Sequence, residues 1–309
     1  INASSYYWDF CSGDLGTTPV ISNVVSISGS GNARDIEIIE AGGNWYGFVV
    51  DQTQNKITRL DYGTSLLNTP QIVSLGNPSN LLSGATPIKI IKESGQWYGL
   101  VHNGGSKNII RVLFGASITN ASPTAEIAVT NIGNTSSNMS YGYDGSNLVV
   151  VLSHYIGTNF SVVNFGASIT NNPVSPADIL TTPAVSGAGL ADVKVYSDCG
   201  QYYAFSVGYD NNSLYMLSFG STLFSQPVVA KIGTSVFAKK PYSIDVVKEG
   251  GKYIGLVSGT SSSLYRVNLG ATLSAVSVAV ADISSVLSGN IYSVAITPFQ
   301  GSWLSHQIS

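Results

Sequence analysis

The chain has 309 residues, 44% of them hydrophobic, and a net charge of −3, so it carries enough apolar material for a sizeable core. Charged residues make up only 10%, against roughly 25% in ordinary globular proteins; Asn, Ser, Thr and Gly supply the polarity instead. Fourteen Lys plus Arg are too few for the basic footprint a nucleic acid demands, and no apolar run approaches the ~20 residues of a membrane helix.

Residues 4–10 and 19–25 open the chain with two runs of strand length. The clearest unit covers residues 35–77. Asp35 to Glu40 alternates polar and apolar residues, the period of a half-buried strand. Ala41-Gly42-Gly43-Asn44 is a hairpin turn, and Trp45-Tyr46-Gly47-Phe48-Val49-Val50 is a second strand of aromatic and β-branched residues. Lys56 to Tyr62 alternates as a third strand. Tyr62-Gly63-Thr64-Ser65-Leu66 and Asn68-Thr69-Pro70 then connect to a fourth, Gln71 to Leu75.

The same reading fits residues 88–133, 139–182, 192–233 and 243–284. Each repeats the glycine turn, as Phe114-Gly115-Ala116-Ser117-Ile118, Phe165-Gly166-Ala167-Ser168-Ile169, Phe219-Gly220-Ser221-Thr222-Leu223 and Leu269-Gly270-Ala271-Thr272-Leu273. The glycines lie 52, 51, 54 and 50 residues apart, and a decayed copy, Phe10-Cys11-Ser12-Gly13-Asp14-Leu15, precedes them. Residues 291–309 supply two strands and residues 4–28 two more, and joining the ends gives a further interval of 50. The expectation is an all-β, six-bladed β-propeller of four-stranded antiparallel blades, one domain over residues 1–309, its last blade closed by strands from both termini. The small residue inside the second strand (Gly47, Gly99, Ala204, Gly255) is expected to let neighbouring blades approach; the third unit has Leu148 to Leu152 there instead.

Aligning the units places Glu37, Lys89, Ser140, Lys194, Asp245 and Ala295 at one position of the innermost strand, near the central channel. Neighbouring blades then offer the opposite-charge pairs Glu37/Lys89 and Lys194/Asp245. They read either as a polar axial pocket for a small ligand or as charges neutralising one another where six strands converge. No catalytic residue is assigned. His102, His154 and His306 lie on or just past the second strand of three different units and read as surface residues. No Asp box of the sialidase type and no Gly-x-Ser-x-Gly elbow occurs. No cofactor is assigned; calcium through Asp144-Gly145-Ser146-Asn147 or Asp210-Asn211-Asn212-Ser213 is the one ion left open, although both read first as Asx-type turns. Cys11 and Cys199 read as small buried or half-buried thiols, and six Asn-x-Ser/Thr sequons begin at Asn2, Asn120, Asn134, Asn138, Asn159 and Asn211.

The Phe-Gly-x-Ser-Leu/Ile turn, the Asn-Thr-Pro or Asn-Asn-Pro loop and the final strand ending near Gly-Asn resemble repeats of large secreted surface proteins of Bacteroidetes-type bacteria, adhesin-like ones among them, and of their phages. The resemblance covers essentially the whole chain. It implies an extracellular or cell-surface recognition or adhesion module, without enzymatic activity, that binds glycans or surface proteins as part of a larger polypeptide or assembly. Seventeen Tyr, four Trp and many turn Asn are groups that stack on sugar rings and bond to hydroxyls. Two other readings stay open: a carbohydrate-active enzyme with its site at one channel mouth, and a structural subunit of a phage tail or filament. The start at Ile1, with no signal peptide, fits a processed secreted protein or an excised domain.

Overall fold

The computed structural model describes residues 3–10, 15, 20–27, 30–132, 136–284, 290–299 and 302–308. In chain order the strands are β1 (Ala3–Phe10), β2 (Val20–Ile27), β3 (Ala33–Ala41), β4 (Asn44–Asp51), β5 (Lys56–Gly63), β6 (Gln71–Gly76), β7 (Ala85–Glu93) and β8 (Gln96–Asn103). They continue as β9 (Asn108–Gly115), β10 (Thr124–Val129), β11 (Ser136–Asp144), β12 (Asn147–His154), β13 (Phe160–Gly166), β14 (Ile179–Thr181), β15 (Leu190–Asp198) and β16 (Gln201–Gly208). The last are β17 (Ser213–Gly220), β18 (Val228–Gly233), β19 (Pro241–Glu249), β20 (Lys252–Gly259), β21 (Leu264–Gly270), β22 (Ala279–Asp282), β23 (Ser293–Phe299) and β24 (Ser302–Ile308).

The architecture is an all-β propeller of four-stranded antiparallel blades. Five blades each take four consecutive strands, beginning with β3, β7, β11, β15 and β19. The strands left over at the two ends of the chain pair with one another in the order β2-β1-β24-β23. The first strand of each consecutive blade lies beside the first strand of the next, so these strands line the axis. The core is not one central mass. It is split into layers between successive sheets, such as Phe48, Val50, Ile88, Val101 and Phe114 between the first two blades.

The repeated glycine turn explains itself in this setting. In each blade the pairing of second and third strands slips at the turn: Trp45 faces Gly63 but Tyr46 faces Asp61, and Trp97 faces Gly115 but Tyr98 faces Leu113. The residue left over, Tyr62, Phe114, Phe165, Phe219 or Leu269, is buried. This is a bulge whose glycine must take positive φ, 68° at Gly63 and 77° at Gly115. The Leu or Ile that closes the turn is buried in every copy, and so is Leu15 of the decayed one. Full burial of such a side chain contributes roughly 1.5–3 kcal/mol.

The turns also latch blades together. The acid ending the first strand of one blade accepts hydrogen bonds from the turn of the next. Glu93 accepts from Ser168 Oγ at 2.7 Å and Ile169 N at 2.9 Å. Asp144 accepts from Thr222 Oγ1 and from Leu223 N, and Asp198 from Leu273 N at 3.1 Å. Glu249 accepts from Leu15 N at 3.1 Å. Arginines of the third strand grip the same turns through carbonyls, Arg59 on Ile118, Arg111 on Asn171 and Arg266 on Leu15.

The glycine in the second strand has a different role from the expected one. A Cβ at Gly47 would meet Ile38, Leu60 and Tyr62, and one at Gly99 would meet Phe114, Val112 and Ile90. These belong to the same blade, so the glycine makes room for the blade's own bulged aromatic. Closeness between blades is found instead at Gly142, where a Cβ would lie 2.9 Å from Leu223 and 3.1 Å from Val195.

Candidate binding site at the channel axis

The first strand of each consecutive blade begins with a register shift, between Ala33 and Asp35, Ala85 and Ile88, Ser136 and Asn138, Leu190 and Asp192, and Pro241 and Ser243. Such a bulge re-aims neighbouring side chains. The residue after it turns inward. Asp35, Asn138, Asp192 and Ser243 are all buried, as is Ser293 of β23. Two residues further on stand Glu37, Lys89, Ser140, Lys194, Asp245 and Ala295, so the axis carries two polar layers.

The charges do meet across blades. Lys89 Nζ lies 2.7 Å from Asp35 and 3.3 Å from Glu37, and Lys194 Nζ lies 3.6 Å from Asp245. Ser140 Oγ accepts from Val195 N at 3.0 Å. The carboxylates also hold the neighbouring backbone, Asp35 taking Ile88 N, Asp192 taking Ile244 N at 2.8 Å and Asp245 taking Ile296 N at 2.7 Å. Asp192 further accepts from Ser243 Oγ at 2.6 Å, and Tyr196 OH donates to Asp245 at 3.1 Å. Asp35, Asp192 and Tyr196 complete the column but were not singled out from the sequence; their two-residue spacing from Glu37 and Lys194 on the same strand face is the signal that points to them.

Burial raises the Glu37 carboxyl above its ordinary range, against the pull of Lys89 and Lys194. Asp192 is pushed up to about 6, chiefly by burial. The two lysines go the other way: burial works against their charge, yet Asp35 and Glu37 hold Lys89 above its usual value, and Asp245 does so for Lys194. The column is thus a set of mutually neutralising groups whose oxygens are committed to neighbouring strands.

Above this column, at the mouth where the first strands begin, four tyrosines from four successive sheets form an arc. Tyr155 and Tyr209 follow β12 and β16. Tyr242 lies on β19 at its bulge, and Tyr292 precedes β23. Ring centroids are 5.7 Å apart from Tyr155 to Tyr209, 5.0 Å from Tyr209 to Tyr242 and 4.8 Å from Tyr242 to Tyr292. Arg34, on the bulge of β3, extends the arc with its guanidinium 4.7 Å over Tyr292. Its Nε donates to Gln52 Oε1 at 2.9 Å. Lys240 Nζ sits 4.3 Å over Tyr209 and 3.5 Å from Asp210, which also accepts from Tyr155 OH. Burial, then the Tyr209 hydroxyl, raises the Tyr242 phenol.

Several sequence expectations are corrected. His102, His154 and His306 are fully buried, not on the surface. Burial pushes His102 and His306 down to about 3, and His154 shares a 2.8 Å hydrogen bond with Ser161 Oγ. Cys199 is exposed, in the β15–β16 turn with φ of 50°, while Cys11 lies outside the described residues. Asp144 and Asp210 are engaged by the turn of the next blade and by Lys240 and Tyr155, and among the described residues no group of three His, Cys, Asp or Glu is placed to hold a metal ion. Asn138 of the sequons is buried in β11. A separate cleft of about 410 Å³, lined by Pro183, Val185, Tyr215, Pro227, Val229 and Lys231, lies between the outer strands of the third and fourth consecutive blades.

Fold and site together define a β-propeller that carries an arc of tyrosine rings at the end where the first strands begin. No family model and no curated protein matches the chain. Among solved structures it is similar to a DUF4623 family protein from Bacteroides eggerthii, at 15% identity and a TM-score of 0.55, covering 91% of this chain and 71% of that one. It is also similar to a triple arginine-to-alanine mutant of AofleA from Arthrobotrys oligospora, at 10% identity and a TM-score of 0.56, covering 90% and 79%. A GH43 β1,3-galactosidase with galactodeoxynojirimycin matches at 11% identity and a TM-score of 0.50, covering 76% and 86%. At these identities the likeness is one of fold.

Proposed function

We propose that this propeller is a non-enzymatic recognition module that binds glycans at the mouth bounded by Tyr155, Tyr209, Tyr242, Tyr292 and Arg34, with the column of Glu37, Lys89, Ser140, Lys194 and Asp245 as its floor. The observation that carries the reading is the tyrosine arc. Rings from four successive sheets meet there, and the faces that Lys240 on Tyr209 and Arg34 on Tyr292 leave uncovered offer apolar surface with hydroxyls at its rim. That combination suits a pyranose ring, whose faces are C–H and whose edges are polar.

The enzyme reading draws support from Asp192, whose raised pKa of about 6 suits a general acid. Its carboxylate, however, has no exposure and is spent on Ser243 and Ile244. Asp35 is equally enclosed and bound to Lys89. A glycoside hydrolase needs two carboxyl groups that touch the scissile bond, and this favours binding over hydrolysis.

We read the β2-β1-β24-β23 sheet as a sixth blade that closes the ring, so that the mouth is bounded on all sides. Three links support this: Ser293 Oγ donates to Asp35 at 2.9 Å, Ile296 N donates to Asp245, and Leu15 N donates to Glu249. The module is read as extracellular or at the cell surface, attached to something larger, where many weak sites gain avidity.

The test is binding of the purified protein to a broad glycan array, with and without calcium, beside the Tyr242→Ala variant. Selective, saturable binding by the parent that the variant loses while keeping its melting curve supports the reading. A blank array from folded protein overturns it.

A further inference from the structure

The chemistry at the end of the arc selects among sugars. Arg34 occupies a ring position held in other blades by Thr86, Ser137, Ala191, Tyr242 and Tyr292, so it brings the single cation of that ring. Its guanidinium lies over Tyr292 and is pinned through Nε by Gln52. Among the described residues no hydrogen bond or ion pair engages its two terminal nitrogens. The adjacent Asp35 points away, into the column, where Lys89 and Ser293 take it. A flat guanidinium with one edge fixed and the other free presents the fork that a carboxylate fills with two parallel hydrogen bonds.

The rest of the mouth agrees. Lys240 adds a second cation against Tyr209, offset in part by Asp210. A cationic ligand seeking the tyrosine faces would meet Arg34 and Lys240 already on them, so the arc is not a cage for ammonium groups. The column acids below are neutralised by Lys89 and Lys194 or, at Asp192, enclosed and hydrogen-bonded. Asp51, beside Gln52, keeps its charge through hydrogen bonds from Ser30, Gly31, Asn32 and Gln54, and its carboxylate is spent on that loop rather than turned to Arg34.

We propose that the mouth prefers sugars bearing a carboxylate, with Arg34 as the anion anchor and the neighbouring tyrosines receiving the sugar ring. This rests on the glycan-binding reading above. The test titrates the protein with two matched pairs of oligosaccharides, one ending in glucuronate or glucose, the other with or without a terminal sialic acid. Each titration is run at low and at high sodium chloride, roughly 20 and 300 mM, to vary screening. For at least one pair the acidic member should bind about tenfold tighter at low salt. That advantage should shrink at high salt and vanish in Arg34→Gln, whose affinities for the two members of the pair should converge. Arg34→Lys, which keeps the charge but not the fork, should retain only part of it.

If both members of each pair bind equally, in the parent and in Arg34→Gln, the carboxylate preference falls and the glycan reading survives. If none of the four sugars binds to folded protein, both fall. Should Arg34→Gln fail to fold, the salt series on the unaltered protein decides: an acidic preference that salt does not weaken overturns the anchor.

Discussion

Ser293 Oγ donates a hydrogen bond to Asp35 Oδ1 at 2.9 Å, between residues 258 positions apart and both buried. The other oxygen of the same carboxylate holds Lys89 Nζ and Ile88 N. One side chain at the axis thus ties together the sheet that joins the chain ends and the first two consecutive blades.

Removing the two partners should have very different costs. Ser293→Ala forfeits one neutral donor to a carboxylate that keeps its other bonds, a loss of about 1–2 kcal/mol. Asp35→Ala leaves Lys89 enclosed with only Glu37 for company and should cost about 3–5 kcal/mol. Urea midpoints of the two variants check this, and equal shifts would show that Asp35 is not the hub of these contacts.

Deleting residues 1–27 removes β1 and β2 and strips β24 of one of its two partners, exposing an unpaired edge. The shortened protein should associate on size-exclusion chromatography and melt at a lower temperature. A monomer with the parent's melting curve would refute closure by the two chain ends.

The latch between acid and turn is missing from the first consecutive blade, where Ala41 stands at the place held elsewhere by Glu93, Asp144, Asp198 and Glu249. Glu93→Ala should lower stability by about 1–2 kcal/mol through the loss of Ser168 and Ile169 N. Ala41→Glu should supply the absent latch to the Ser117–Ile118 turn and gain about 0.5–1 kcal/mol. Thermal melts of both variants test the rule, and a destabilised Ala41→Glu would break it.

Acid should weaken the fold through His102 and His306. Burial holds both near 3, so between about 6.5 and 3 the unfolded chain binds protons that the folded one refuses, and stability falls as pH drops. Each contributes up to about 1.4 kcal/mol per pH unit. Asp192 has the opposite sign: its folded value near 6 lies above the unfolded one, so its stabilising contribution is present at low pH and is lost as pH rises toward 6. Two histidines outweigh one aspartate, so the parent should weaken from pH 7 to pH 4. The stability of Asp192→Asn relative to the parent should improve from pH 4 to pH 7. Urea midpoints at pH 4, 5.5 and 7 measure both, and a constant difference would remove Asp192 from the account.

Much of the architecture was legible because each blade repeats the same local solution. The glycine turn stood out, since a bulge needs positive φ at one residue and a large apolar side chain beside it, and both recur as Phe-Gly, Tyr-Gly or Leu-Gly. Opposite charges at Glu37/Lys89 and Lys194/Asp245 were also readable, because one register position repeats in every blade. The histidines were misread. Strand ends are usually exposed, but here the second strand is covered on both faces by neighbouring sheets. Gly47 was misassigned for a related reason: spacing shows that a small residue is required, and only packing shows against which neighbour.

Local patterning by itself determined the strands, the four-stranded unit, the glycine bulge and the position that faces the axis, because alternation and backbone conformation are properties of a few adjacent residues. The tertiary structure alone decided that Glu249 meets Leu15, that Asp35 serves three sheets, and that Tyr155, Tyr209, Tyr242, Tyr292 and Arg34 share one arc. Those residues sit at two different offsets within the repeat, after the second strand in one blade and at the bulge of the first in the next. Only the curvature of the propeller, set by packing between blades, brings the two offsets to the same end of the axis.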